Sequence, residues 1–359
     1  MHNIPKEILM KIFSNINHVD DDFSIEMMEE CNKSLNECRA VCRKWKLVAD
    51  TILFERPILT SIKQLEKFKE DFKARQDEGL FVKQLQVPIY QIVFDKKSLK
   101  LLKELIDMVF TPMLRSFKGI LEGHDIYEML LEKVKNSKLS FKLKDIPYCF
   151  SPCSAYTELA LELKDTLEQV FVLLEENVDN SHLIEQSGNF KRLQKILLSG
   201  VVSGLSDLNT LLNKHSTLKS LTFTDFSFDF DDFETTLKRQ NPMNGLCNKE
   251  TSSLDLLTIS YCRKANLCLQ YALEKFKTIH KANVTMMDPE YSLDYDTLLK
   301  ENISVLDILE KSIPEYNFNF ENSLEYPNIE KDLLAHLGLD KNSVKRDEQY
   351  TTITVKKTS

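Results

Sequence analysis

Chemistry in a chain has to be sought where titratable or nucleophilic residues converge. The nearest thing to a ligand spacing is Cys149-x-x-x-Cys153. A tetrahedral zinc site needs four thiolate or imidazole ligands, and no second pair of Cys or His lies close by in the chain. The seven histidines (His2, His18, His124, His182, His215, His280 and His336) are scattered, with no two at metal-ligand spacing. Gly123-His124-Asp125 opens a predicted helix, where Asp125 serves as a cap rather than an acid. The carboxylate pairs Glu175-Glu176 and Asp231-Asp232 belong to charged helical faces. There is no glycine-rich phosphate loop and no G-x-S-x-G elbow. The expectation is therefore no catalytic residue, no cofactor and no bound metal.

Composition narrows the classes further. The chain has 359 residues, 42% of them hydrophobic and 28% charged, which describes a folded, water-facing protein. No apolar run reaches the ~18 residues of a spanning helix, so no membrane contact is expected. A net charge of -8 is the wrong sign for binding a phosphate backbone, so no nucleic acid is expected either. Eight cysteines without a signal-peptide pattern point to reduced thiols.

What remains is the positioning elements themselves, and the first of them is the most informative. Ile4, Ile8, Leu9, Ile12, Phe13 and Ile16 lay one broad apolar stripe along a helix. Pro5 stands at its first turn, where a missing N–H costs nothing. Leu35, Cys38, Val41, Cys42, Trp45, Val48 and Ala49 recur at helical spacing further on, and Leu53-Phe54 closes the unit before Pro57. A unit this small has a marginal core of its own. It nevertheless holds the chain's one tryptophan, which points to a partner for part of that surface. The plain alternative is two amphipathic helices of a larger helical domain.

These residues resemble the F-box. That family opens Leu-Pro-x-Glu-Ile-Leu-x-x-Ile-Phe, continues Cys-x-x-Val-Cys-x-x-Trp and ends Leu-Trp or Leu-Phe. Here the parts are Ile4-Pro5-Lys6-Glu7-Ile8-Leu9 with Ile12-Phe13, then Cys38-Arg39-Ala40-Val41-Cys42-Arg43-Lys44-Trp45, then Leu53-Phe54. Two departures stand out: Ile replaces Leu before Pro5, and residues 18–33, rich in Asp and Glu, read as an inserted solvated loop. The module is placed at 1–57, with a linker helix over 58–76 that carries Ile62, Leu65, Phe68 and Phe72 on one face.

From residue 77 to about 340 short strand-like runs alternate with helical ones. The clearest unit is L-x-x-L-x-L: Leu193, Ile196, Leu198; then Leu218, Leu221, Phe223; then Leu254, Leu257, Ile259. The steps are 25 residues (193 to 218) and 36 (218 to 254), with a polar excess around Asn241 to Asn248, and then 25 again to a weaker Ile279, Ala282, Val284. Fainter copies stand at Val82-Leu85-Val87, Leu114-Phe117, Leu139-Phe141-Leu143, Tyr156-Leu159-Leu161 and Ile313-Tyr316-Phe318. Leu205 to Leu212 and Leu267 to Phe276 read as the intervening helices. This looks like a degenerate leucine-rich repeat array, whose unit runs roughly 20–29 residues as a strand plus a helix. The turn asparagine of that family is missing, and only Cys262 fits its cysteine variant. The alternatives are a helical solenoid or an irregular α/β domain. Residues 341–359 read as a flexible tail.

The fold class expected is thus α+β overall: a small helical F-box module, then a curved α/β leucine-rich-repeat-like solenoid. The resemblance implies docking on a Skp-type adaptor, and through it a cullin, by Pro5, Ile8, Leu9, Ile12, Phe13, Val41, Cys42 and Trp45. Ile12 and Val41 are the two for which packing within the module is the readiest competing explanation. The residues between the buried strand positions are expected to point outward and meet an unidentified protein substrate. They are Lys195, Leu197 and Ser199; Ser220, Thr222 and Thr224; Leu256, Thr258 and Ser260; and Lys281, Asn283 and Thr285. The implied function is a non-catalytic substrate-recognition subunit of an SCF-type ubiquitin ligase, in cytosol or nucleus. The alternative is a repeat scaffold outside any ligase.

Overall fold

The computed structural model describes residues 4–16, 25–75, 81–88, 96–121, 124–175, 178–215, 217–229, 253–286, 295–321, 328–338, 344–346 and 350–357. The chain divides into two compact units, 1–167 and 168–359. Helices at the N-terminus are followed by mixed α/β structure.

The first unit begins with three helices, α1 (Lys6–Ile16), α2 (Ile25–Val41) and α3 (Arg43–Glu55). Their shared core is Leu9, Phe13, Leu35, Val48, Ala49 and Ile52, with Ile4, Met10, Ile16, Cys38, Trp45 and Leu53 packed around it. The helical spacing from Leu35 to Phe54 is interrupted at Cys42, whose backbone is extended (φ -166°, ψ 168°) and forms the N-cap of α3. Cys42 therefore does not lie on a helix face with Cys38, as its spacing implied. The acidic loop expected over 18–33 is also corrected: from Ile25 onward it is helix, while 18–24 lie outside the described residues. Glu29 and Glu30 face solvent there, which is how a helix tolerates adjacent like charges.

Beyond α3 the described backbone of this unit runs through four further helices and a series of parallel pairings. Ile58 bridges to Gln86, β1 (Gln84–Val87) pairs in parallel with β2 (Ser116–Gly119), and Ile120 bridges to Tyr148. Helix α4 (Ile62–Ala74) lies between the first two, α5 (Lys96–Val109) between the next, and α6 (His124–Asn136) before the last. Ser61 caps α4 by accepting from the Gln64 N–H. On α4, Leu65 and Phe72 are buried and Phe68 stacks on Phe72, whereas Ile62 is exposed. Tyr156, Leu159 and Leu161, expected as a strand, fall instead on helix α7 (Ser154–Glu162). Phe141 and Leu143 are buried in irregular chain.

The second unit is built on an eight-stranded sheet in the order β3-β4-β5-β6-β7-β8-β10-β9. The strands are β3 (Gln169–Leu174), β4 (Lys195–Val202), β5 (Ser220–Phe228), β6 (Ser253–Ser260), β7 (Thr278–Thr285), β8 (Glu315–Glu321), β9 (Val344–Arg346) and β10 (Tyr350–Lys356). From β3 to β8 each strand pairs in parallel with the next in chain order. Four of the L-x-x-L-x-L copies thus fall at or within β4, β5, β6 and β7, and the copy at Ile313 reaches β8. Helices α8 (Ser181–Gln186), α9 (Ser206–Asn213), α10 (Ala265–Lys275) and α11 (Tyr295–Ser312) return the chain between strands, and α12 (Ile329–Leu337) follows β8. Ile196, Leu198, Leu221, Phe223, Leu257, Ile259, Ala282, Val284 and Phe318 are buried on one face of the sheet. The polar excess around 241–248 lies outside the described residues.

Residues 344–346 and 350–356 correct the expected flexible tail. β10 runs antiparallel to β8, with Ile353 opposite Phe318, and β9 pairs antiparallel with β10. Ile353 and Thr351 are fully buried. An unbroken β-branched run, Thr351 to Val355, gives the segment a strand preference and a face that the core accepts.

Candidate functional site

The three-helix module is built from two adjoining faces of α1. Leu9 and Phe13, one turn apart, are sunk in the core, and Phe13 meets the Trp45 ring edge-on at 5.3 Å between centroids. Trp45 is half-buried in this contact. Ile8 and Ile12, also one turn apart but rotated to the flank, stand 49% and 45% exposed, with Val41 at 56% and Leu47 at 63%. Pro5 is exposed and Cys42 half-buried.

The eight residues expected on the docking surface are thereby split. Leu9 and Phe13 leave it, because their side chains already fill the module's own core. Ile12 and Val41, for which internal packing was the main competing explanation, face solvent instead. Sequence reasoning missed Leu47. Its signal was an apolar residue two positions past Trp45, off the buried stripe of α3.

Cross-links hold this surface in shape. The Lys44 ammonium donates to the Ile4 carbonyl, so the α2–α3 corner beside Val41 sits against the first turn of α1 that carries Ile8. Arg39 on α2 pairs with Asp50 on α3 at 2.6 Å. Asn32 Nδ2 donates to the Ile58 carbonyl at 2.8 Å, and the Thr60 hydroxyl to Glu29 at 3.1 Å. The module is thus fastened to the first parallel pairing that follows it. Burial holds the Cys38 and Cys31 thiols above their ordinary range, helped by Glu37 and Glu30 respectively. Both behave as small apolar groups.

The second expected surface lies on the opposite face of the β3–β10 sheet. Register aligns Leu197, Thr222, Thr258, Asn283, Asn317 and Thr354 in one row, and Ser199 with Leu173 in the next. Leu197, Ser199, Thr222 and Thr258 are buried, while Lys195, Ser220, Thr224, Leu256, Ser260, Lys281, Asn283 and Thr285 are half-buried. The outward exposure expected of Leu197 and Leu256 is corrected: central strands are crowded by neighbours about 4.8 Å away on both sides. Toward β8 the row becomes a chain of side-chain bonds. Thr354 donates to Asn317 at 2.9 Å, Asn317 to Asn283 at 2.9 Å, and Asn319 to Thr285 at 3.1 Å. Lys281 and Lys356 both reach Glu315, at 2.8 and 3.5 Å, and hold its carboxyl below the usual range, Lys281 first.

Among the described residues, no three His, Cys, Asp or Glu side chains converge as a metal site, and no helix is long and apolar enough to cross a membrane.

Residues 1–60 match the F-box-like family, so the chain carries an N-terminal F-box-like domain. Comparison with curated proteins gives no match for the chain.

Proposed function

We propose that the chain is the substrate-recognition subunit of an SCF-type ubiquitin ligase, its N-terminal module docking on a Skp-type adaptor and the region after it binding a protein substrate. The observation that carries this reading is the pairing of an F-box-like match over residues 1–60 with an aliphatic flank that the module's own core does not use. Ile8, Ile12, Val41 and Leu47 are the module's exposed large aliphatic side chains among the described residues. Exposed apolar groups gathered on one small module mark an interaction surface, and helical grooves and faces are a common docking mode. Pro5, Cys42 and Trp45 border it.

The strands paired in chain order, with helices between them, support a leucine-rich-repeat-like reading of the later region. Substrate then meets the half-buried polar side chains toward β7 and β8, Thr285 and Asn283 among them, rather than the buried Leu197 and Thr222. Such a subunit performs no chemistry. It raises the effective concentration of a substrate lysine near a charged conjugating enzyme.

The test is co-purification of the full chain with a purified Skp-type adaptor and cullin, wild type against Ile8→Asp with Ile12→Asp. Binding of both partners by wild type and neither by the variant supports the ligase reading. Adaptor without cullin supports the scaffold reading. No adaptor binding by a folded wild type sinks both.

A further inference from the structure

The carboxyl ends of β3 and β4, with the turns that lead into α8 and α9, border a cavity of about 340 Å³ in the second unit. That volume is ligand-sized, pockets for small groups spanning roughly 300–1,000 Å³. Close packing of the two strand ends fixes its wall. A Cβ at Gly200 would stand 2.3 Å from the Leu174 carbonyl oxygen and 3.0 Å from Cγ of Glu175. The Glu175 stem is thus laid against the backbone of the neighbouring strand. Beyond it the Val178 N–H closes a turn on the Glu175 carbonyl at 3.0 Å, and the Ile184 N–H bonds the Asn180 carbonyl at 2.9 Å.

The wall has an aliphatic part and an acidic part. Leu174, Val178, Ile184, Val201 and Val202 form the first, and Val201 is 45% exposed although it belongs to β4. Glu175, Asp179 and Asp207 form the second, and no Lys, Arg or His lines the cavity among the described residues. Two of these acids have local partners. Asp207 stands in the first turn of α9, where a carboxylate offsets the helix dipole. Asp179 accepts from the Ser181 N–H at 3.0 Å and hydroxyl at 2.5 Å, bonds that hold its carboxyl below the usual range. No hydrogen bond or ion pair engages the Glu175 carboxylate among the described residues.

Asn180 adds an independent observation. It lines the cavity, is only 8% exposed, and makes no side-chain cap bond to α8 although it is the N-cap. Its Nδ2 donates to the Leu173 carbonyl. Only the amide NH2 can face a carbonyl, so Oδ1 is the atom turned away from Leu173. No hydrogen bond reaches that oxygen among the described residues. A buried acceptor without a donor is costly, and here it marks a place for a group that brings N–H. The three carboxylates do not converge as metal ligands. Acceptors spread along an aliphatic wall match a cationic head carried on a hydrocarbon stem.

We propose that this cavity receives a long basic side chain, arginine or lysine, presented by a segment of a protein partner. The stem lies against Val178, Val201 and Val202, and the head donates to the Glu175 carboxylate and to Asn180 Oδ1. The identity of that partner as a ligase substrate rests on the function proposed above, whereas the cavity's preference for a cation does not.

The test is a methyl NMR titration of the full chain, isotope-labelled at Ile, Leu and Val. The probes are capped pentapeptides Ala-Ala-X-Ala-Ala, with X as Arg, Lys, Met or Glu, and agmatine as a free cation. The Arg and Lys peptides should shift the methyls of Val178, Ile184, Val201 and Val202 to saturation, and the Met and Glu peptides should not. Glu175→Gln, at an exposed position, should keep the methyl spectrum of a folded chain and weaken the Arg peptide at least about tenfold. Met shifting these methyls as strongly as Arg, or an Arg affinity unmoved by Glu175→Gln, would leave an apolar patch and overturn the proposal. Preference for the Glu peptide would make the cavity an anion site and overturn it too. Agmatine binding more tightly than the Arg peptide would assign the cavity to a free amine, against a protein segment. No shift with any probe would remove the site. None of these readouts involves the adaptor, so their failure leaves the ligase reading standing, and failure of adaptor binding leaves them intact.

Discussion

The Phe13 and Trp45 rings meet edge to face inside the three-helix module, 5.3 Å between centroids at 72°. The two aromatic residues with the strongest appearance of interface anchors are therefore partners of each other. Leu9, one turn before Phe13, completes the same cluster with Val48 and Ile52.

Phe13→Ala should act on folding. Emptying a fully buried phenylalanine site costs about 3–5 kcal/mol, enough to melt so small a module. Ile8→Asp with Ile12→Asp should leave thermal unfolding nearly unchanged and weaken adaptor binding at least about tenfold, or about 1.4 kcal/mol. Unfolding curves and adaptor titrations on the same samples separate the two effects. Equal loss of stability in both variants would refute the division of α1 into core and docking flanks.

His215, between α9 and β5, is buried with no hydrogen-bond partner for Nε2. Burial, with a smaller push from Lys214, brings its pKa down from 6.5 to about 4. The unfolded chain therefore binds the extra proton first. This contribution to stability is present above pH 6.5 and is lost as pH falls toward 4, amounting to roughly 3 kcal/mol. His215→Leu should flatten the pH dependence of the unfolding midpoint across that window relative to wild type. An unchanged slope would show that the imidazole is not dehydrated.

Gly200 sits in β4 at φ +103°, where a Cβ would lie 2.3 Å from the Leu174 carbonyl oxygen on β3. Gly204, just beyond the strand, has nothing within 4 Å of such an atom. Gly200→Ala should therefore lower stability by about 2 kcal/mol or more through strain and strand separation, whereas Gly204→Ala should be close to neutral. Denaturant midpoints for the two single variants give the comparison.

Ile353 is fully buried opposite Phe318. Ile353→Ala should cost about 2–5 kcal/mol, and removal of residues 344–359 should expose the β8 edge and reduce solubility. Sedimentation and thermal melting of both variants would decide it. A truncated chain that stays monomeric and equally stable would mean that β10 contributes nothing to the sheet.

What was legible in the sequence follows from how each signal arises. The α1 stripe and the L-x-x-L-x-L spacing of β4 to β7 read directly, because one face of each element is buried and the other is not. β3 was missed because all six residues of Gln169–Leu174 are buried, which erases the alternation. Tyr156-Leu159-Leu161 fits a strand repeat and an amphipathic helix equally well, and the helix beginning after Cys153 won. On α1, spacing placed Ile8, Leu9, Ile12 and Phe13 in one apolar band, but only packing against α3 decides which edge is covered. The β10 strand was signalled by Thr351, Thr352, Ile353, Thr354 and Val355, β-branched to a residue, and the signal was outweighed by the lysines around it.

The outermost strand beyond β10 also limits how this sheet can grow. Two reversals, at β10 and again at β9, return that edge to the sense of β3–β8, but β9 is three residues long with Lys345 and Arg346 exposed. Short, basic edges resist pairing with another chain. The segment from Glu315 to Lys356 thus closes this side of the sheet with an edge that does not invite a further strand.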